Sequence, residues 1–222
     1  MRIVCYNILD GGEDRLSTIL AILRELRPDA AAVVEANDRG NVEWLAANLG
    51  MHLTFGEANN SYHIAWLTTE PPVASRNHRH EQLEKTFLEV EVDAGGQRVQ
   101  LFAAHLAPHP HNESRRLEEV QAIGRILEDS ARMPHVLVGD FNAVQSAPEI
   151  ARIQQAGYAD CYADLHPTNV DTRPVGDPAL RIDYIFASDG MAEQLAACDM
   201  RTGTDAVAAS DHYAIWADFV AT

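Results

Sequence analysis

The chain has 222 residues, 46% hydrophobic and 23% charged, and its 33 acidic residues against 17 basic ones give a net charge of −16. That size and balance fit a single globular domain over residues 1–222, and no apolar run reaches the roughly 18 residues of a membrane-crossing helix. The negative far field repels polyanions, which disfavours nucleic acid as a partner unless a basic patch or a bound cation offsets it, although solubility alone also explains acidity.

The opening MRIVCYN runs straight into a strand-like stretch without a charged leader and a long apolar segment, so no secretion signal is expected. Cys5, Cys161 and Cys198 are too sparse for a metal knuckle or a disulfide framework. They read as buried or idle thiols of a reducing cytoplasm, the expected location.

In chain order, Ile3–Tyr6 reads as a strand. Asp14–Leu26 carries Leu16, Ile19, Leu20 and Leu23 at a helical period and stops at Pro28. Ala30–Val34 is a short apolar strand, and Val42–Leu49 a second helix closed by Gly50. His52–Phe55 and His63–Thr68 are weaker strands. Thr86–Val92 and Val99–Ala104 alternate around Gly95-Gly96 as a hairpin. Glu113–Leu127 is a helix with Leu117, Val120, Ile123 and Leu127 on one side. Val136–Val138 is a strand and Pro148–Gln155 a helix. Residues 165–180, with three prolines, read as a long loop. Ile182–Phe186, Ala192–Met200 and Tyr213–Val220 close the chain as strands.

Interleaved strands and helices define a mixed α/β fold. Polar residues stand at the C-terminal ends of four strands: Asn7, Glu35, His105 and Asp140. Asp183 and the pair Asp211-His212 stand at the N-terminal ends of two others. For all of them to meet at one rim, the two sets of strands must run in opposite directions. An all-parallel sheet cannot do that, whereas stacked mixed sheets with helices outside can.

The stretch HVLVGDFNAV (135–144) poses the functional question. A buried strand runs without a gap into Gly139, Asp140, Phe141 and Asn142. Extended backbone points Asp140 and Asn142 the same way, with Phe141 turned to the core. Gly, Asp and Asn are equally the ordinary residues of a turn. Each rim residue has a plain alternative: Asn7 as a turn cap, Glu35 and Asp211 as exposed acids, His105 as a satisfied core histidine. Together they supply carboxylates for a hard cation, two imidazoles and oriented amides, with no Ser or Cys beside a base. That equipment suits metal-assisted hydrolysis rather than a covalent acyl route.

In this order the chain resembles the endonuclease/exonuclease/phosphatase superfamily: YN at 6–7, Glu35, AHL at 104–106, GDFN at 139–142, RIDYIF at 181–186 and SDHYAI at 210–215. Arg116 and Gln121 in the helix after HL also fit. The resemblance implies a four-layer α/β/β/α sandwich of two mixed sheets with the site at one rim. It implies a Mg²⁺ or Mn²⁺ held principally by Glu35, with Asn7 and Asp211 supporting the metal region. Asp140 would activate the attacking water, and Asn142 would hold a phosphoryl oxygen. His212, oriented by Asp183, would face the charge of the transition state, and His105 would protonate the leaving oxygen.

Departures from the family narrow the substrate. The acid that abasic-site exonucleases carry two residues after the first Asn is Leu9 here, with Asp10 beside it. Their tyrosine is also missing from HLAP, so abasic-site repair is disfavoured. Separately, the family's Gln before the Glu is Val34 here, which keeps the ligand and loses a neighbour, and the usual glycine is not evident in YHIAWLTTEPPVAS. The basic stretches SRNHRH (75–80) and APHPHNESRR (107–116) are either a phosphate-binding rim or solvated loops. His63 and Arg116 are candidate substrate contacts. The expectation is a monomeric Mg²⁺-dependent phosphoesterase that cleaves a phosphodiester. A DNA endonuclease or exonuclease of the same family is the alternative, and a non-catalytic phosphate- or partner-binding module is the alternative of another class.

Overall fold

Runs of small and β-branched residues buried on both faces make the central strands, and amphipathic helices cover them. The computed structural model describes residues 1–130, 133–166, 168, 170–173 and 180–220. The strands are β1 (Arg2–Asn7), β2 (Ala30–Val34), β3 (His52–Gly56), β4 (Ile64–Thr68), β5 (Ala74–His78), β6 (Phe87–Ala94), β7 (Gln97–His105), β8 (His135–Asp140), β9 (Ala159–Asp160), β10 (Asp183–Ala187), β11 (Leu195–Arg201) and β12 (Ala214–Phe219). The helices are α1 (Leu16–Leu26), α2 (Arg39–Leu49), α3 (Glu113–Ser130), α4 (Pro148–Gln155), α5 (Cys161–Leu165), α6 (Asp189–Ala192) and α7 (Thr204–Ala209).

Two six-stranded mixed sheets form, in the orders β11-β12-β1-β2-β4-β3 and β5-β6-β7-β8-β10-β9. Alternation along each strand sorts the core into three layers. Ile3, Cys5, Trp66, Val90, Leu101, Val138, Ile185 and Ile215 fill the space between the sheets. Val4, Tyr6 and Val33 turn outward onto Ile19, Leu23, Val42 and Leu45 of α1 and α2. Phe102, Leu137, Phe141 and Tyr184 turn outward onto Val120, Ile123 and Ile150 of α3 and α4. This is the expected α/β/β/α sandwich.

Strand direction places the site. β1 runs parallel to β2 and antiparallel to β12, and β7 runs parallel to β8, which is antiparallel to β10. The C-terminal ends of β1, β2, β7 and β8 therefore share a rim with the N-terminal ends of β10 and β12, as the polar strand ends require. Gly139 makes the β7–β8 join possible. At φ +154° its backbone comes so close to β7 that an added Cβ would lie 2.0 Å from the Ala104 carbonyl oxygen.

Several elements depart from the sequence reading. The α2 helix starts at Arg39, three residues early, because the Asp38 side chain accepts the Asn41 N–H at 3.0 Å and caps it. Five successive residues from Leu9 to Glu13 have positive φ, so α1 begins only at Leu16. SRNHRH is not a loop throughout: Ser75–His78 belongs to the edge strand β5, paired with β6. Ala192 ends α6, so the strand expected from there starts at Leu195. Leu165 ends α5. Within the expected long loop, 167, 169 and 174–179 lie outside the described residues, and Arg173 pairs with Leu180 through two backbone hydrogen bonds. Cys5, Cys161 and Cys198 are buried and free. Among the described residues no helix is long and apolar enough to cross a membrane.

Candidate active site

Strand register brings the chemistry together. His105, Asp140 and Asp183 stand side by side on β7, β8 and β10. On the other sheet Asn7 pairs with Val34, so Glu35 projects one residue beyond, in left-handed backbone at φ +57°. Asp211 and His212 arrive just ahead of β12.

Asp140 is the hub. Its Oδ2 accepts the Asn7 Nδ2–H at 3.1 Å, and the same amide nitrogen donates to Glu35 Oε1 at 3.0 Å. One amide thus ties a carboxylate of each sheet. Glu35 Oε2 accepts the Asp10 N–H at 2.9 Å. Two imidazoles flank the hub: His105 Nε2 stands 3.6 Å from Asp140 Oδ2, and His212 Nε2 stands 3.8 Å from it. GDFN forms a turn that carries two of the gathered polar groups. Asn142 lies at φ +49°, and its N–H closes on Asp140 Oδ1 at 2.9 Å as an Asx turn. Phe141 packs edge-on to Tyr184 and Phe186 in the core.

His212 is pinned from behind. Its Nδ1–H donates to Asp183 Oδ2 at 2.8 Å, which also accepts the Thr172 hydroxyl at 2.6 Å. The Thr172 oxygen in turn accepts the N–H groups of Ile182 and Asp183. Ser210 Oγ donates to the Asn7 carbonyl and accepts the His212 N–H. The tautomer follows: Nδ1 carries the hydrogen toward Asp183, so Nε2 faces the hub.

The two imidazoles differ in charge. Burial works against the His212 cation, but Asp183, Asp140 and Asp211 outweigh it and raise its pKa to about 10. Burial, with Lys85 and His212 nearby, pushes His105 well below its ordinary value, so it is neutral. Burial raises Asp140 to about 6 against the opposing pull of His212.

These groups fit a hard divalent cation. Ligand atoms of Glu35, His105 and Asp140 lie within 4.8 Å of one another, as do those of Asp140, Asp183 and His212. Asp183 Oδ1, Asp211 Oδ1 and His105 Nδ1 are buried without a hydrogen-bond partner among the described residues. Unshared carboxylate oxygens beside a carboxyl that burial has pushed upward are the donor set a cation of this kind relieves.

The structure thus gathers Asn7, Glu35, His105, Asp140, Asn142, Asp183 and His212. Asp211 lies at the edge, its Oδ2 accepting from Arg173 at 3.2 Å and its Oδ1 3.9 Å from His212 Nε2. His63 stands beside Glu35 through its carbonyl, which accepts the Ala36 N–H, but its ring faces the Ala58 N–H and Phe55. Arg116 is not a free substrate contact. It is buried, with its guanidinium spent on Glu149 at 2.6 Å and on the carbonyls of Ala107 and His109, so it fastens the 107–109 loop.

Thr172 and Lys85 escaped the sequence reading. Thr172 sits in a stretch without periodicity. Lys85 carried a signal that could have found it: it is the only lysine among the 17 basic residues. It is buried, with Nζ donating to the Leu106 carbonyl at 2.7 Å, directly after His105.

The Endonuclease/Exonuclease/phosphatase family model matches residues 4–212, and the chain belongs to that family, whose members are hydrolases of phosphoester bonds. A search of curated proteins gave no match. Among solved structures, the chain is similar to a humanized TDP2 of D. rerio carrying 14 mutations, at TM-score 0.79 and 17% identity over 100% of this chain and 99% of that one. It is similar to the human Nocturnin catalytic domain, at TM-score 0.79 and 18% identity over 99% and 93%. It is also similar to an AP endonuclease from Archaeoglobus fulgidus, at TM-score 0.77 and 18% identity over 99% of both chains. At these identities the likeness concerns the fold.

Proposed function

We propose that the protein is a Mg²⁺- or Mn²⁺-dependent phosphodiesterase acting at the rim of its two sheets, with residues 1–222 as one catalytic domain. The observation that carries this reading is Asp140 Oδ2, 3.6 Å from one imidazole and 3.8 Å from another, and tied through the Asn7 amide to Glu35.

Glu35, with Asn7 beside it and Asp211 at the edge, would hold the cation, which when bound neutralises charge on the phosphoryl oxygens. Asp140 takes a proton from the attacking water as the new P–O bond forms. Asn142 uses one Nδ2–H on the Leu106 carbonyl at 3.1 Å, leaving the other for a phosphoryl oxygen. As the ester P–O bond breaks, the leaving oxygen needs a proton. His212 Nε2 is the imidazolium end that carries one, whereas His105 is neutral. We therefore assign the proton donation to His212, in place of the His105 role that the family resemblance implied, and give His105 the part of positioning Asp140 or ligating the cation.

A compact or isolated phosphodiester fits better than duplex DNA, because the net charge is −16 and the Arg116 cation is already spent. The test measures hydrolysis of bis(p-nitrophenyl) phosphate, p-nitrophenyl phosphate and supercoiled plasmid in Mg²⁺, Mn²⁺ and EDTA, for wild type and Glu35→Gln. Metal-dependent turnover of the diester, lost in the variant, is the expected result. No turnover of any phosphoester by folded protein would leave a non-catalytic binding module instead.

A further inference from the structure

The proposed mechanism uses no arginine, although the protein carries a net charge of −16 and the proposed substrate is an anion. Two arginines beside the site are spent. Arg116, behind the loop that follows His105, is buried on Glu149 and two carbonyls. The Arg15 guanidinium, next to Asn7, donates to the carbonyls of Ile8, Leu9 and Ala209. Arg173 differs. Its Nε donates to Asp211 Oδ2 at 3.2 Å, and its two Nη groups make no hydrogen bond among the described residues. Its side chain is 38% exposed, so an anion can reach it.

Backbone bonds fix its position. Arg173 pairs with Leu180 through two hydrogen bonds, at 2.8 and 3.2 Å. The Thr172 carbonyl accepts the Tyr213 N–H at 2.7 Å, and the Thr172 hydroxyl donates to Asp183. The residue before Arg173 is thus tied to the residue after His212 and to the carboxylate behind the His212 ring. The Asp211 carboxylate lies between the two cations: Oδ2 accepts from Arg173, and Oδ1 stands 3.9 Å from His212 Nε2. The guanidinium therefore sits one carboxylate's width from the imidazolium that protonates the leaving oxygen. A half-exposed ion pair of this kind adds little to stability. It does orient a planar fork whose two Nη groups remain for an anion.

We propose that Arg173 is a specificity residue that binds a second phosphate, carried by the leaving half of the phosphodiester. The substrate class that follows is a short phosphodiester whose leaving alcohol itself bears a phosphate, rather than one with an uncharged leaving alcohol. A guanidinium fork takes two oxygens of such a group at once, and a dianion needs a local cation to approach a protein of this charge. The inference rests on the phosphodiesterase reading and on the assignment of proton donation to His212.

The thymidine dinucleotides TpT, pTpT and TpTp share one diester and carry a terminal phosphate at neither end, the 5′ end or the 3′ end. In Mg²⁺, kcat/KM is measured on each for wild type, Arg173→Gln and Arg173→Lys, and the products show which nucleoside leaves as the alcohol. The expected result is a gain of about 10-fold over TpT for the dinucleotide whose leaving nucleoside bears the terminal phosphate, the worth of one charge-assisted hydrogen bond. Arg173→Gln should abolish that gain, and Arg173→Lys should keep part of it. The gain is a ratio within one protein, so an effect of the substitution on Asp211 cancels. No gain in wild type, a gain confined to the half that does not leave, or a gain that survives in Arg173→Gln overturns the proposal and leaves Arg173 as an ion-pair partner of Asp211 alone. Should folded wild type turn over none of the three, calorimetry with thymidine 3′,5′-bisphosphate and thymidine 5′-monophosphate decides. Tighter binding of the bisphosphate that is lost in Arg173→Gln keeps the second-phosphate site and overturns only the catalytic reading. Equal affinities overturn the site as well.

Discussion

Two histidines flank one carboxylate at nearly the same distance, yet their surroundings make one a cation and leave the other neutral. His212 stands 3.8 Å from Asp140 and has Asp183 behind it; His105 stands 3.6 Å away, and its Nδ1 has no partner among the described residues. Asp183 lets His212 keep a proton in a buried place, whereas burial strips it from His105. Residue type and distance to Asp140 are alike, so the partner on the far side of the ring decides which imidazole carries the proton.

That contrast can be broken in graded steps. His212→Ala should cost about 1000-fold or more in kcat/KM, since it removes the cation facing the transition state. Asp183→Asn keeps the hydrogen-bonding shape but removes the charge that holds His212 protonated, and about 100-fold is expected. Its activity should also fall off at lower pH than that of wild type, because the His212 pKa drops. His105→Ala should cost less, about 10-fold to 100-fold, in line with a neutral group acting on Asp140. Thr172→Val, which removes the hydroxyl bond to Asp183 and leaves the Ile182 and Asp183 N–H groups without their acceptor, should cost a few-fold in kcat/KM and lower the melting temperature.

The same contrast has a pH signature in metal-free protein. The folded pKa of His212, about 10, lies above its ordinary 6.5. Its contribution to stability is therefore full below pH 6.5 and lost as pH rises through 10. His105 has the opposite sign: its folded value is depressed, so its contribution is present above pH 6.5 and lost as pH falls. Melting temperature against pH, with Asp183→Asn alongside, checks both. The variant should flatten the alkaline loss and leave the acid side unchanged.

Much of this was legible in the sequence because strand ends and chemistry coincide. Ala30–Val34 and Pro148–Gln155 fall where the sequence reading put them, and the polar residues at strand ends do converge. The β5 strand escaped because an exposed edge strand, ASRNH, has no apolar alternation; backbone pairing to β6 holds it, with His78 on Glu89 and Asn77 on the Glu57 carbonyl. Thr172 escaped because a loop residue that bonds through its hydroxyl leaves no periodic trace. Arg116 read as a substrate contact because its type and position allow that, and only the buried Glu149 beneath it reveals the structural role. Which histidine is charged depends on the side chain behind each ring, and strand pattern does not carry that.

The most direct test of the central claim is the turnover of bis(p-nitrophenyl) phosphate in Mg²⁺ by wild type and by His212→Ala, with equal melting temperatures confirming that both are folded. The account expects turnover that EDTA abolishes and that falls about 1000-fold or more in the variant. Turnover that survives either EDTA or the loss of His212 would contradict it.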